Sequence, residues 1–259
     1  MLPSYYIPHG GGPCFFMDWN PPDTWNKLAA WLRSMAADIP RPKAVVVISG
    51  HWEEECFAVQ TAAHPPLLFD YYGFPPHTYE LTYPAPGAPD LARRVRELLE
   101  GAGHRTSEDP TRGFDHGVFI PFKLIYPDAD IPMIQLSLKE GLDPEEHLSA
   151  GRAIASLCED DVLIVGSGMS YHNLREFWAG TNRGTEAFDE WLTATACGEA
   201  HDRDQALASW FDAPGARWAH PREEHLLPLM VAAGAAGKRR GERVFYDNIQ
   251  GSLISAFRF

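Results

Sequence analysis

Three of the eleven histidines follow the same local pattern, in which an apolar run is followed by glycine or proline and then by the imidazole. They are His9 in YYIPHGGGP, His51 in VVVISGHW and His172 in VLIVGSGMSYHN. A neutral imidazole is both a common metal ligand and a proton acceptor near neutral pH. Ligands of open α/β proteins bind beyond the carboxyl ends of the strands. If the three runs are parallel strands, their histidines meet at one sheet edge and could form a metal site.

Each of these histidines also has an ordinary interpretation when it is taken alone. A partly buried histidine that is hydrogen bonded to a backbone carbonyl is more common than a metal-bound one. The same pattern three times in one chain favours the metal site.

Two further histidines stand where helices are expected to begin. His116 lies in GFDHGVFIPF, and His225 lies in PREEHLLPL. Pro221 and the acidic pair Glu223 and Glu224 are typical of a first helical turn, where carboxylates compensate the helix dipole. We therefore interpret Glu223 as structural.

The remaining histidines lack such a setting. We predict surface positions for His104, His147, His201 and His220, and loop positions for His64 and His77. The Pro/Gly-rich segment 64–89 is predicted to be an ordered loop over a site. Its aromatic residues either cover a flat apolar substrate or simply pack. These residues are Tyr71, Tyr72, Phe74 and Tyr79.

The elements that would position these residues alternate along the chain. Strands are predicted at Tyr5 to Pro8, Ala44 to Ser49, Ile131 to Leu138, Val162 to Val165, and Arg243 to Tyr246. Helices are predicted at Asp23 to Ala37, Pro89 to Glu100, Pro144 to Cys158, Thr185 to Ala196, and Glu223 to Ala236. This alternation predicts an α/β fold in which helices flank a central, largely parallel or mixed sheet on both faces. No linker or repeat divides residues 1–259, so a single domain is expected.

Composition excludes several classes of function. The chain has 22 Lys and Arg against 35 Asp and Glu, a net charge of −13 that disfavours binding to nucleic acid or to anionic membrane surfaces. No apolar run approaches the roughly 18 residues needed to span a bilayer, and the start lacks a leader pattern. The four cysteines form no CxxC pair, which suits a reducing compartment. We expect a soluble cytoplasmic protein, either a monomer or a homodimer.

Six motifs occur in an order that is specific when taken together: HGGGP, SGHW, FDHGVFIPF, IPMIQLSL, GSGMSYHNL and EEHLLPL. Over nearly the whole chain they resemble the class III extradiol ring-cleaving dioxygenases, in particular the 4,5-DOPA dioxygenase-like branch of the LigB superfamily. The resemblance implies a LigB-like fold and metal ligation by His9, His51 and His225. It further implies an acid/base role for His172 and substrate contact by His116. The expected metal is non-haem Fe(II), and zinc is possible in a purified sample.

The third ligand has an alternative. Protocatechuate-cleaving relatives use a glutamate there, and Glu224 directly precedes His225. Neighbours on a helix point about 100° apart, so only one of them reaches a shared ion. We assign the role to His225, with Glu224 orienting the site or replacing it.

The implied reaction is cleavage of a DOPA- or caffeate-like catechol next to its diol by O₂, giving a semialdehyde. Three ligands on one side of a metal leave positions for the diol and O₂. His172 would move the hydroxyl proton. Tyr72 and Tyr126 are further candidate substrate contacts, and His116 is instead a helix-start histidine beside Asp115 in the alternative interpretation.

Two rival functions remain at this point. A zinc hydrolase would need a carboxylate base, for which the motifs offer only Asp115 and Glu224, without an HExxH arrangement. A catalytically inactive metal-binding protein of the same fold is the other alternative.

Overall fold

The computed structural model describes residues 1–259, whose strands form one eight-stranded sheet. The strands are β1 (Ser4–Pro8), β2 (Ala44–Glu54), β3 (Phe57–Gln60), β4 (Thr106–Asp109), β5 (Met133–Lys139), β6 (Val162–Gly168), β7 (Glu242–Ile249) and β8 (Ser252–Arg258). Their order in the sheet is β4-β3-β5-β2-β6-β1-β8-β7. The central strands β5, β2, β6 and β1 are parallel, whereas β3 and β8 pair antiparallel with β5 and β1. The predicted α/β fold with a mixed sheet is confirmed.

Apolar residues cover both faces of the central strands because side chains alternate along a strand. In β2, Val46 and Ile48 face one apolar cluster, and Val45 and Val47 face the other. A strand that is buried on both faces reads as a continuous apolar run, which is why AVVVIS was recognisable in the sequence.

Nine α-helices surround this sheet: α1 (Asn26–Met35), α2 (Pro89–Gly101), α3 (His116–Ile125), α4 (Pro144–Ile154), α5 (Leu174–Ala179), α6 (Thr185–Ala196), α7 (Ala200–Ala208), α8 (Ala216–Ala219) and α9 (Leu227–Ala236). Helices α2, α4 and α9 share an apolar cluster with one face of β2, and α1 and α3 cover the opposite face. Helix α9 is buried along its whole length, because it is apolar on every side. No helix of the chain is both long and apolar enough to cross a bilayer.

The helix predicted from Glu223 begins instead at Leu227. Pro228 lies in the first turn of this helix, where a backbone N–H would have no partner within the helix and its absence in proline is therefore tolerated. The acidic pair Glu223 and Glu224 lies before the helix. His225 consequently lies on a turn before α9 and not on a helix face.

The surface positions predicted for His147 and His220 are wrong, since both residues are fully buried. His147 donates from Nδ1 to the carbonyl of Asp143 over 2.7 Å and accepts at Nε2 from the amide of Lys139 over 3.2 Å. His220 packs edge-on against Phe188 and Trp210. The surface prediction was based only on the polar residue type. The partners that make burial possible become apparent only once the chain has folded.

Candidate metal centre and active-site cavity

The parallel strands bring His9, His51 and His172 to the same edge of the sheet. His9 directly follows β1, and its amide donates to the carbonyl of Gly168 at the end of β6 over 3.1 Å. His172 follows β6 by four residues, and its amide donates to the carbonyl of Ala219 over 2.9 Å. The rings therefore approach one another from neighbouring strand ends.

An irregularity in β2 directs His51 into this group. The pairing of β2 with β5 shifts register between Ile48 and Glu53, and His51 lies inside that interval. Such a bulge bends the strand and changes the direction in which a side chain points.

Three imidazoles converge through their Nε2 atoms. His51 Nε2 lies 3.3 Å from His9 Nε2 and 3.2 Å from His225 Nε2. The Nδ1–H of His9 donates to the carbonyl of Gly10 over 2.8 Å, and that of His225 donates to Glu224 Oε1 over 2.9 Å. Because a carbonyl or carboxylate only accepts, both rings carry a free lone pair on Nε2.

Burial keeps these rings uncharged. Desolvation lowers the pKa of His9, His51 and His225 well below the usual value of 6.5, and the neighbouring imidazoles lower it further. The three neutral Nε2 atoms face one another and have no hydrogen-bond donor between them. A cation bound among them would supply the missing partner for their lone pairs. Nitrogens about 2.1 Å from a shared ion lie roughly 3.0–3.4 Å apart, which the observed separations match. The residues thus fit a metal ion.

Backbone contacts hold His225 in this position. Its carbonyl accepts from the Tyr6 hydroxyl over 2.7 Å and from the amide of Met169 over 3.2 Å. The same carbonyl lies only 2.1 Å from where a Cβ on Gly168 would stand. Only glycine at position 168 lets the turn before α9 approach β6 so closely.

Comparison with known proteins identifies the family. The model of the catalytic LigB subunit of aromatic ring-opening dioxygenases matches residues 4–257. The chain belongs to the LigB family. Among its relatives, dioxygenase tasH of Hapsidospora irregularis is 37% identical, with 99% of this chain and 85% of that protein covered. The 4,5-DOPA dioxygenase extradiol of Beta vulgaris is 35% identical over 97% of this chain and 93% of its own length.

A solved structure agrees with this assignment. The crystal structure of uncharacterized protein JW3007 from Escherichia coli K12 superposes with a TM-score of 0.80 at 29% identity, covering both chains completely. The 4,5-DOPA dioxygenase extradiol of Escherichia coli K12 is 34% identical over 90% of this chain and 85% of that protein. The protein is a ring-cleaving dioxygenase of the DOPA dioxygenase-like branch of the LigB family.

In this LigB enzyme, Glu224 stands behind the imidazoles. Its Oε1 accepts from His225 Nδ1 and lies 3.2 Å from Nδ1 of His172. The rings of His172 and His225 stack with centroids 3.4 Å apart. Glu224 therefore contacts the Nδ1 side of both rings, away from the cluster of Nε2 atoms.

Asp70 is a polar partner of the site that the sequence reasoning missed. Its Oδ1 accepts from the backbone amide and from Nδ1 of His116, over 2.9 and 2.8 Å. Burial alone would raise the pKa of Asp70, but these hydrogen bonds outweigh it and hold the pKa below the usual value. Asp70 is the only carboxylate in the mostly apolar segment 65–79, and this isolation could have marked it as a functional residue in the sequence.

A cavity of about 250 Å³ opens beside the histidines. His9, His51, His116, His172 and His225 all line it. The Pro/Gly-rich segment 64–89 closes one side of the cavity, where Tyr71 and Phe74 line it and Tyr72 lies at its edge with 91% of its surface exposed.

Several predicted residues lie elsewhere in the LigB fold. Tyr126 ends α3, and its buried hydroxyl has no hydrogen-bond partner and does not line the cavity. Asp115 is fully buried beneath the site, where Ser49, Arg112 and Gln135 donate to its carboxylate. Neither residue can contact a molecule in the cavity.

Proposed function

We propose that this LigB-family dioxygenase uses Fe(II) to open a catechol ring next to its diol. The observation that carries the proposal is the group of three buried, uncharged imidazoles with their Nε2 atoms turned toward one another. His9, His51 and His225 would hold the ion, and Glu224 would orient His225. When bound, the ion would bring the diol and O₂ together and allow electrons to pass between them.

His172 is the proposed proton acceptor. It lines the cavity beside His225, and its Nδ1 faces Glu224. A proton on Nδ1 is stabilised by that carboxylate, which leaves the Nε2 lone pair for a substrate hydroxyl. His172 would take the hydroxyl proton and return it later in the reaction.

His116 is the proposed substrate contact on the opposite side. Both the ring and the backbone of His116 donate to Asp70, so the orientation of the imidazole is fixed. Its Nε2 lone pair then remains to accept a hydrogen bond from the second hydroxyl. Tyr72 would contact the ring substituent at the edge of the cavity.

The proposed reaction incorporates both oxygen atoms of O₂. The carbon–carbon bond beside the diol breaks, and one oxygen enters the new carboxylate while the other enters the new aldehyde. The Beta vulgaris and Escherichia coli relatives are both named 4,5-DOPA dioxygenase extradiol, which supports a catechol substrate. We also propose a reducing, cytoplasmic location, which the four free cysteines support.

A hydrolase would require a carboxylate that can activate water. Asp115 is enclosed below the site, and Glu224 already serves two histidines. This arrangement favours the dioxygenase over the zinc hydrolase.

The test is oxygen uptake by protein reconstituted anaerobically with Fe(II) and mixed with a panel of catechols. We expect oxygen consumption with a yellow product, and transfer of both atoms of labelled O₂ into it. Zinc-loaded protein is the control and should consume no oxygen, because zinc has no accessible redox change. A colourless mixture that leaves oxygen untouched would overturn the proposal, and ester or amide hydrolysis by the zinc form would favour the hydrolase.

A further inference from the structure

The outer part of the cavity has no charged side chain. Its lining contains no lysine, arginine, aspartate or glutamate, and its titratable groups are the five histidines and the tyrosines. Twelve of the 22 lining residues are hydrophobic. A charged group on a substrate would therefore leave water without gaining a partner of opposite charge, which is unfavourable.

Most of the buried polar side chains of this wall are hydrogen bonded to the protein. Tyr71 donates its hydroxyl to the carbonyl of Thr78 over 2.6 Å, and Tyr171 donates to the carbonyl of Arg183 over 3.1 Å. Asn173 donates to the carbonyl of Trp218 and accepts from the amide of Glu176, and Ser252 donates to Asn182. The donors that remain include the buried Nε1–H of Trp25 and the exposed hydroxyl of Tyr72, and neither carries a charge. The wall therefore offers a substrate carboxylate no positive charge.

The nearest basic residues along the chain are paired or lie outside the cavity. Arg183 binds Glu176 with nitrogen and oxygen 2.6 Å apart. Arg112 binds Asp115 over 3.0 Å. Lys27 and Arg222 are also paired, with Asp247 and Glu53 respectively. Arg175 is exposed and does not line the cavity.

The wall instead offers aromatic and aliphatic surface. The ring of Trp19 lies 5.7 Å from that of Trp25 and 6.4 Å from that of Trp178. At the mouth, Leu174 is 56% exposed and Trp178 is 68% exposed. Exposed apolar side chains that continue a cavity wall are typical of a binding surface.

We propose that the cavity selects a catechol whose ring substituent is uncharged and apolar, such as an alkyl or aryl group, over one that carries a carboxylate or an amino acid side chain. This selectivity rests on the proposed catechol cleavage. The diol would face the histidines, and the substituent would lie along Trp19, Leu174 and Trp178. Selection then follows because loss of hydration is unfavourable for an unpaired charged substituent and favourable for an apolar one.

The experiment compares propylcatechol with dihydrocaffeate, which have side chains of equal length that differ in the terminal methyl or carboxylate. With the Fe(II)-loaded enzyme, we expect kcat/KM to be higher for propylcatechol by about tenfold or more, because the carboxylate loses water without a counter-ion. DOPA should be poorer than propylcatechol as well. An equal or higher kcat/KM for dihydrocaffeate or DOPA overturns the inference.

Binding without turnover separates this inference from the proposed function. Under anaerobic conditions, quenching of the cavity tryptophans Trp19, Trp25 and Trp178 reports the Kd of the same compounds. We expect tighter binding of propylcatechol even if no compound consumes oxygen, an outcome that would contradict only the proposed reaction. Tighter binding of dihydrocaffeate would contradict the selectivity.

Variants at the mouth locate the effect. Leu174→Gln removes the apolar side chain without adding a charge and is the matched reference for Leu174→Arg, which supplies an exposed guanidinium. Relative to Leu174→Gln, Leu174→Arg should shift the ratio of kcat/KM toward dihydrocaffeate by about two- to fivefold, the usual range for an exposed ion pair. Arg175→Gln should leave the wild-type ratio unchanged, and a selective loss with dihydrocaffeate would show that Arg175 binds the carboxylate.

Discussion

At the scale of single residues, the proposed metal centre depends on lone pairs that have no donor in the protein. His9 and His225 donate their Nδ1 protons to a carbonyl and a carboxylate, respectively. Nε2 of His51 lies close to Nε2 of both rings. Removal of any one ring leaves only two nitrogens for the ion. The three ligands should therefore be individually necessary for metal binding.

We expect His9→Ala, His51→Ala and His225→Ala to weaken iron binding more than about 100-fold, since even a residue that only orients a ligand contributes about 10–100-fold. Glu224 orients the ligand His225, so Glu224→Gln should retain iron with an affinity lowered by about 10–100-fold. Iron content after dialysis against a graded chelator measures both effects.

Glu223→Gln is the matched control, because Glu223 binds Arg217 and none of the histidines. It should hold iron like the wild type. Stoichiometric iron in His225→Ala together with its loss in Glu224→Gln would transfer the third-ligand role to Glu224.

The proton acceptor can be separated from the metal ligands by a second substitution. His172→Phe keeps an aromatic ring that can stack on His225 but removes the lone pair. We expect turnover to fall by about 10²–10⁴-fold, the usual contribution of general acid–base catalysis, with iron content unchanged.

His64→Phe serves as the control, because His64 is an exposed loop residue. It should leave turnover and iron unchanged. Loss of iron in His172→Phe would show that this residue is a ligand and not a base.

At the scale of the elements, the parallel strands account for what the sequence could predict. Continuous apolar runs marked β1, β2 and β6, and their shared direction brought His9, His51 and His172 to one edge. Strands β3, β4 and β8 were not predicted. β3 and the edge strand β4 have only four residues each, and β4 is largely exposed.

The rest of the site depends on contacts between distant segments. Asp70 reaches His116 across 46 positions, and Glu224 meets two histidines only after the turn before α9 has packed on the sheet. No local periodicity encodes such contacts. Motif resemblance identified the five histidines, whereas the partners that orient them became visible in the structure.

Close packing between β6 and the turn before α9 yields a prediction at this scale. The Cβ of Gly168→Ala would stand 2.1 Å from the carbonyl oxygen of His225, so the backbone must shift. We expect a loss of about 1–3 kcal/mol in the free energy of unfolding, as is usual for overpacking, together with weaker iron binding. Urea unfolding and metal analysis measure the two effects.

Gly101→Ala is suitable for comparison, because a Cβ there meets no atom within 4 Å. Its stability and iron content should stay close to those of the wild type. Iron binding that is unchanged in Gly168→Ala would mean that the position of His225 tolerates this shift.

At the scale of the whole molecule, buried histidines make the stability depend on pH. Burial lowers the pKa of His147 to about 4 and that of His220 to about 3, against 6.5 for a free side chain. As the pH falls below 6.5, the unfolded chain binds protons that the folded chain excludes. Stability is therefore full above this range and is lost as the pH falls toward the folded pKa.

We expect His147→Gln to flatten this dependence. Removing one such proton should reduce the slope of the unfolding free energy by about 1 kcal/mol per pH unit between roughly pH 5 and pH 6.5. Urea unfolding across that range measures the slope, and His220→Gln provides an independent second case. The exposed His201 offers the control variant His201→Gln, which should retain the wild-type slope. A wild-type slope in both buried variants would be inconsistent with their neutral state.

The proposed ligands lie at positions 9, 51 and 225, so a metal site built from them requires residues from both terminal regions of the chain. β1 lies between β6 and β8 in the sheet. During synthesis, a nascent polypeptide presents at most two of these imidazoles until residue 225 has been added. If these three residues hold the metal, the complete site forms only after residue 225 has been synthesised, and proteolytic fragments that have lost either terminal region should bind the ion much more weakly.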